Sequence, residues 1–133
     1  MKIEKAILYT DGASRGNPGP AAIGAVIKDG QGRVLARISR RIGKTTNNQA
    51  EYRAIIAALE EALRLGAEKV EVRSDSELAV KQINGRYRVK NQALKPLSQR
   101  VRELQSLFPA FAIVAIPRHQ NAEADRLSNA ALG

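Results

Sequence analysis

The sequence predicts an α/β domain in which helices flank a five-stranded mixed sheet, with the element order βββαβααβα. Two observations carry this. Three strand-like apolar runs precede residue 45, and the hydrophobic period then turns helical from Gln49 to Leu65 before two further short runs alternate with helical stretches. At 133 residues the chain fits one domain spanning 1–133, long enough to bury about two-thirds of its unfolded surface.

The first strand begins at Ala6 and reaches Asp11, behind which three glycines and two prolines fall within nine residues. A sharp turn is expected there, with Asp11 as a turn former or as a carboxylate delivered to the sheet rim. Ala21 to Lys28 reads as the second strand, with Gly24 where a side chain has no room or a bulge is needed. Asp29-Gly30-Gln31-Gly32 is a turn signal, and Arg33 to Ile42 alternates with Val34, Ala36, Ile38 and Arg40 on one face. These three strands form an antiparallel meander.

Thr45, Thr46, Asn47 and Asn48 are all able to cap the helix that follows. Its apolar stripe is Ala50, Ala54, Ile55, Ala58, Leu59 and Leu63, and Gly66 stops it. Lys69 to Ser74 is the fourth strand, closed by Asp75. A short helix runs from Ser76 to Ile83, a basic connector from Arg86 to Lys95, and a third helix from Pro96 to about Leu107. Phe111 to Ile116 is the last strand, and Asn121 is placed to cap a terminal helix containing Asp125. The helix between the third and fourth strands is a crossover, so the fourth and fifth strands run parallel to the first.

Composition narrows the chemistry. The formal charge of +9 favours polyanionic partners, and two stripes carry much of it without any acid: Arg33, Arg37, Arg40, Arg41 and Lys44, then Arg86, Arg88, Lys90, Lys95, Arg100 and Arg102. Low aromatic content with no Trp argues against stacking of single-stranded bases. The absence of Cys excludes disulfides and thiolate metal sites, so any metal is held by oxygens. No apolar run approaches the ~20 residues that span a bilayer, and the start lacks a signal-peptide core. A cytoplasmic monomer without a membrane partner is the expectation.

Four acids fall at element ends that this topology brings together. A parallel fourth strand places Asp75 beside Asp11, on strands about 4.8 Å apart, while Glu51 is expected in the first turn of the crossover helix and Asp125 in the first turn of the last. Each alone reads as a turn former, a cap or a favourable first-turn charge. Together they form a cluster of repelling carboxylates, which normally marks a cation site for magnesium or manganese.

Tyr9-Thr10-Asp11-Gly12, Gly16-Asn17-Pro18-Gly19, Thr46-Asn47-Asn48-Gln49-Ala50-Glu51, Ser74-Asp75-Ser76 and Asn121 to Asp125 with Leu127 resemble the type 1 ribonucleases H, in order and over nearly the whole chain. The resemblance implies a ribonuclease H-like fold and endonucleolytic hydrolysis of the RNA strand of an RNA/DNA hybrid, leaving 5′-phosphate and 3′-hydroxyl ends. It implies that Asp11, Glu51, Asp75 and Asp125 hold two Mg2+ ions, roughly 3.5 to 4 Å apart, with Mn2+ able to substitute. It also implies that Asn17, Asn47 and Asn48 reach the minor groove, where the RNA 2′-hydroxyl is the handle for selectivity. Lys44, Thr46 and Asn91 resemble the family's pocket for a phosphate of the DNA strand.

The sequence departs from the pattern in places. Glu77 stands where many members carry Gln, so a groove contact there lacks the amide's donors. His119, a candidate for helping product leave or for shuttling a proton, precedes Asp125 by only six residues, a shorter spacing than in well-studied members; the adjacent Arg118 is a candidate for a similar role. The connector from Arg86 to Lys95 is too short for the long basic handle of some bacterial members, and no separate hybrid-binding domain is expected before residue 1. Two other readings are a non-catalytic nucleic-acid-binding module and an integrase-type polynucleotidyl transferase. The compact length and the Thr46 to Glu51 stretch speak against the second.

Overall fold

Strand β1 (Ile3–Ser14) is central in the computed structural model, which describes residues 3–133. It pairs antiparallel with β2 (Gly19–Asp29) and parallel with β4 (Ala67–Ser74). Strand β3 (Val34–Thr45) flanks β2, and β5 (Ala110–Ala115) runs parallel to β4, giving the order β3-β2-β1-β4-β5. The expected five-stranded mixed sheet is therefore present, with its expected strand directions.

The helices are α1 (Asn47–Arg64), α2 (Glu77–Ile83), α3 (Lys95–Gln105) and α4 (Ala122–Leu132), with a single 3₁₀ turn at Arg118–Gln120. Alternation along β1 assigns its two faces. Ala6, Leu8, Thr10 and Gly12 point to the side covered by α1, whereas Tyr9 and Asp11 point to the side covered by α4. Leu8, Val72, Ile55 and Leu59 are fully buried in the core under α1, each contributing about 2 kcal/mol of burial. Val101, Leu104 and Phe108 extend that core beneath α3. The Tyr52 hydroxyl donates to Gln82 Oε1 at 2.7 Å, tying α1 to α2, and burial pushes this phenol up to about 12.

Two expectations about local structure are corrected. The chain does not turn at Asp11-Gly12: β1 continues to Ser14, paired residue for residue with β2 as far as Ser14 and Ala21. Pairing with β2 overrides the turn signal of Gly12, and the bend falls at residues 15–18 instead. Helix α1 also begins earlier than its apolar stripe. Thr46 is the N-cap, its hydroxyl accepting Gln49 N at 3.2 Å, so Glu51 sits in the second turn and not the first. No helix among the described residues is long and apolar enough to cross a membrane.

Candidate active site

Asp11 lies one residue beyond the last parallel pair, Thr10 with Ser74, and Asp75 follows Ser74 directly. The shared register brings the two aspartates together at the end of β4. Glu51 arrives from the opposite face because Gly12 lets α1 close onto β1: a Cβ at Gly12 would collide with the carbonyl of Ala50 and the amide of Glu51. The Gly12 N–H donates to Glu51 Oε1 at 2.8 Å, fixing the carboxylate. Oxygens of Asp11, Glu51 and Asp75 lie within 4.8 Å of one another.

Asp125 is in the first turn of α4, as expected, but stands outside that triple. Its Oδ1 accepts Asn129 Nδ2 at 3.3 Å and lies 4.0 Å from the Arg118 guanidinium. All four acids line one open cleft of about 410 Å³, together with Gly12, Ser14, Asn47 and Arg118. The structure thus separates the two basic candidates of the 3₁₀ turn. Arg118 faces the carboxylates, whereas the exposed His119 is not in the cleft wall.

The electrostatics follow from burial and crowding. Desolvation raises the Glu51 carboxyl to about 8, with Asp11 adding to the rise and the Gly12 N–H opposing it. Asp11 is raised to about 6, again chiefly by burial, while the Ser128 hydroxyl draws it down. Burial also raises Asp75, against the Asn121 side chain and Arg118. Such a group is strained in its charged form unless a cation joins it. Three converging carboxylates, all hard oxygen donors in an open cleft, fit a hard divalent cation.

Two residues of the site lie outside the sequence-based candidates. Ser128 Oγ donates to Asp11 Oδ2 at 2.6 Å from inside the α4 packing surface. Asn121, expected as a side-chain cap for α4, makes no such bond; its Nδ2 donates to Thr10 O at 2.8 Å, fully buried. The fixed distance of Ser128 from Asp125, one helical turn, was the available signal for the first.

The remaining candidates are dispersed. Asn17 Oδ1 accepts Asn47 N at 3.0 Å, joining the β1–β2 loop to the start of α1, with Asn48 exposed beside them. Lys44 lines a separate depression with Arg15 and Arg41, Thr46 caps α1, and Asn91 Oδ1 accepts Ala93 N at 2.8 Å within its own turn. No hydrogen bond joins Lys44, Thr46 and Asn91 to one another. Glu77 is exposed in the first turn of α2, where its charge favours the helix N-terminus.

The two basic stripes also differ. In the first, Arg33 pairs with Asp29, Arg37 with Glu123, and Arg41 donates to the carbonyls of Ala131 and Leu132. In the second, Arg100 pairs with Glu60 and Glu103, whereas Arg86, Arg88, Lys95 and Arg102 line an open depression and form no ion pair among the described residues.

A family profile described as reverse transcriptase-like matches residues 9–131. The curated Ribonuclease HI of Halobacterium salinarum is 48% identical over 124 residues, which is 93% of this chain and 62% of that protein. The solved N-terminal RNase H domain of Rv2228c from Mycobacterium tuberculosis superposes with a TM-score of 0.94 at 44% identity, covering 97% of this chain and 99% of that one. A second solved relative, LC11-RNase H1 in complex with an RNA/DNA hybrid, gives a TM-score of 0.90 at 47% identity and 95% coverage of both chains. The chain spans 62% of the curated Halobacterium protein and 35% of the full mycobacterial one.

The sheet order, the crossover helix and the carboxylates at the end of β4 define a ribonuclease H-like domain. Within that class the chain belongs to the type 1 ribonuclease H family.

Proposed function

We propose that this chain is a metal-dependent endonuclease that hydrolyses the RNA strand of RNA/DNA hybrids, leaving 5′-phosphate and 3′-hydroxyl ends. The observation that carries the reading is the convergence of Asp11, Glu51 and Asp75 oxygens within 4.8 Å in an open cleft on a basic molecule. Residues 1–133 are read as a single catalytic domain acting as a cytoplasmic monomer. Asp11, Glu51, Asp75 and Asp125 would hold two Mg2+ ions, with Mn2+ as a substitute. Such ions activate water and stabilise the leaving oxygen of a phosphodiester.

The protein's own part is to aim the carboxylates and to temper their charge. The Gly12 N–H and the Ser128 hydroxyl hold Glu51 and Asp11 in place before substrate arrives, a preorganisation that avoids reorientation during reaction. Arg118 offsets part of the negative charge of the cluster. Asn47, which lines the cleft, its partner Asn17 and the adjacent Asn48 would supply groove contacts; Lys44, Thr46 and Asn91 would contact the DNA strand. Hybrid affinity should fall steeply with salt, because basic side chains release counterions on binding phosphate.

The test is cleavage of an end-labelled hybrid by the purified chain across a Mg2+ and Mn2+ series, beside duplex DNA and duplex RNA. Cut RNA in the hybrid alone is expected, and Asp11→Asn or Asp75→Asn should reduce the rate at least about a hundredfold. A folded wild-type chain that leaves the hybrid intact with both metals overturns the reading.

A further inference from the structure

We infer that Ser128 is a positioning residue: it commits the Asp11 carboxylate to one orientation and so prepares the cleft for a divalent cation. The inference rests on the proposed reading of the carboxylates as a cation site. It begins from the register of the sheet. Asp11 pairs with Gly24, so both project toward α4. A Cβ at Gly24 would collide with Ala124 O, would lie 2.5 Å from Ser128 N, and would press on Leu127. Its absence lets the backbone of α4 rest directly on β2, beside Asp11.

From that position the fully buried Ser128 reaches Asp11 Oδ2 at 2.6 Å and the Asp125 carbonyl at 2.9 Å. A hydroxyl has one hydrogen to give. Within a helix its ordinary acceptor is a carbonyl of the preceding turn, but the shorter contact is the one to Asp11, in the range of a charge-assisted O–H···O⁻ bond. The side chain therefore spans from the turn that carries Asp125 to the neighbouring acid. Because the donor is neutral, it holds one oxygen of Asp11 without opposing a cation. A lysine or arginine in that place would neutralise the carboxylate and repel the ion.

The experiment is calorimetric titration of the full chain with Mn2+, without nucleic acid, at neutral pH, together with urea unfolding of each metal-free variant. Ser128→Ala should bind Mn2+ about tenfold more weakly than wild type, the usual effect of removing a partner that orients a metal ligand. Ser128→Cys keeps a side chain of similar size with a weak donor, and its affinity should fall between the two. A purely structural serine would shift the unfolding midpoint and leave Mn2+ affinity unchanged; that result overturns the inference. If Ser128→Ala does not fold, the Cys variant decides alone, and affinity equal to wild type refutes the role. A folded wild-type chain that takes up no Mn2+ refutes both this role and the cation-site reading, whereas normal wild-type uptake with unaltered variants refutes only the role of Ser128.

Discussion

Helix α1 meets β1 over Gly12 and helix α4 meets β2 over Gly24, so both walls of the cleft rest on a missing Cβ. What the two walls deliver is different. From α1 comes an acid, Glu51, sunk almost out of solvent and held by a backbone N–H. From α4 and its N-cap come neutral donors, Ser128 and Asn121, while the α4 acid of the cleft, Asp125, stays 34% exposed. The difference shows how a crowded acidic site is kept foldable: one wall adds buried charge, and the other supplies hydrogen bonds that draw down the neighbouring Asp11 and Asp75. A second buried acid on α4 would have added to the repulsion that, on top of desolvation, raises Glu51 to about 8.

The largest expected effect comes from closing either gap. Gly12→Ala and Gly24→Ala each place a methyl group against backbone atoms that cannot rotate away, and each should cost about 3 kcal/mol in urea unfolding. A loss under about 1 kcal/mol would mean that the helix shifts freely, and the close approach is then not what fixes the wall.

Titration separates the walls next. Asp11 and Glu51 have ordinary values of 3.8 and 4.5 but are raised to about 6 and about 8 in the folded chain. Between those limits the native state binds more protons than the unfolded one, so stability falls as pH rises. The penalty is absent below about pH 4 and complete above about pH 8. Metal-free protein should therefore melt at least about 5 °C lower at pH 8 than at pH 5, and Mg2+ or Mn2+ should restore more at the higher pH. A melting temperature that is flat or rises over this range contradicts the assignment.

The smallest contrast lies within the 3₁₀ turn. Arg118→Ala removes the guanidinium facing Asp125 and should slow hybrid cleavage about tenfold, whereas His119→Ala should alter it by less than about twofold. An equal tenfold slowing by both would place both side chains at the reaction, and no slowing by either would place neither there.

Much of this was legible in the sequence because each element carries its own period or punctuation. The alternation of Val70 and Val72, the stripe from Ala50 to Leu63 and the Asp29 to Gly32 turn all specify local structure without tertiary help. Asp11 and Asp75 could be brought together from strand direction alone. The course of the chain after Asp11 could not, since Gly12, Ala13 and Ser14 resemble a turn until β2 is there to pair with them. The targets of Ser128 and Asn121 were hidden for another reason. Each is an ordinary polar residue of a helix or its cap, and only the docking of α4 over Gly24 aims them at the site. Glu51 falls in the second turn instead of the first because Thr46 is the cap and the helix already begins at Asn47.

Strand β1 outruns β4, and that overhang has a consequence for the chemistry. Thr10 and Gly12 offer main-chain groups on the edge that β4 would have covered had it continued. Those groups are not left to water: the Thr10 carbonyl is taken by Asn121 and the Gly12 amide by Glu51. The Asn121 and Glu51 side chains thus stand in for the missing length of strand, completing the ladder where the sheet stops. A β4 extended by two residues would satisfy the same backbone groups and evict the site. The point at which pairing ends is therefore also the point at which a catalytic surface becomes possible.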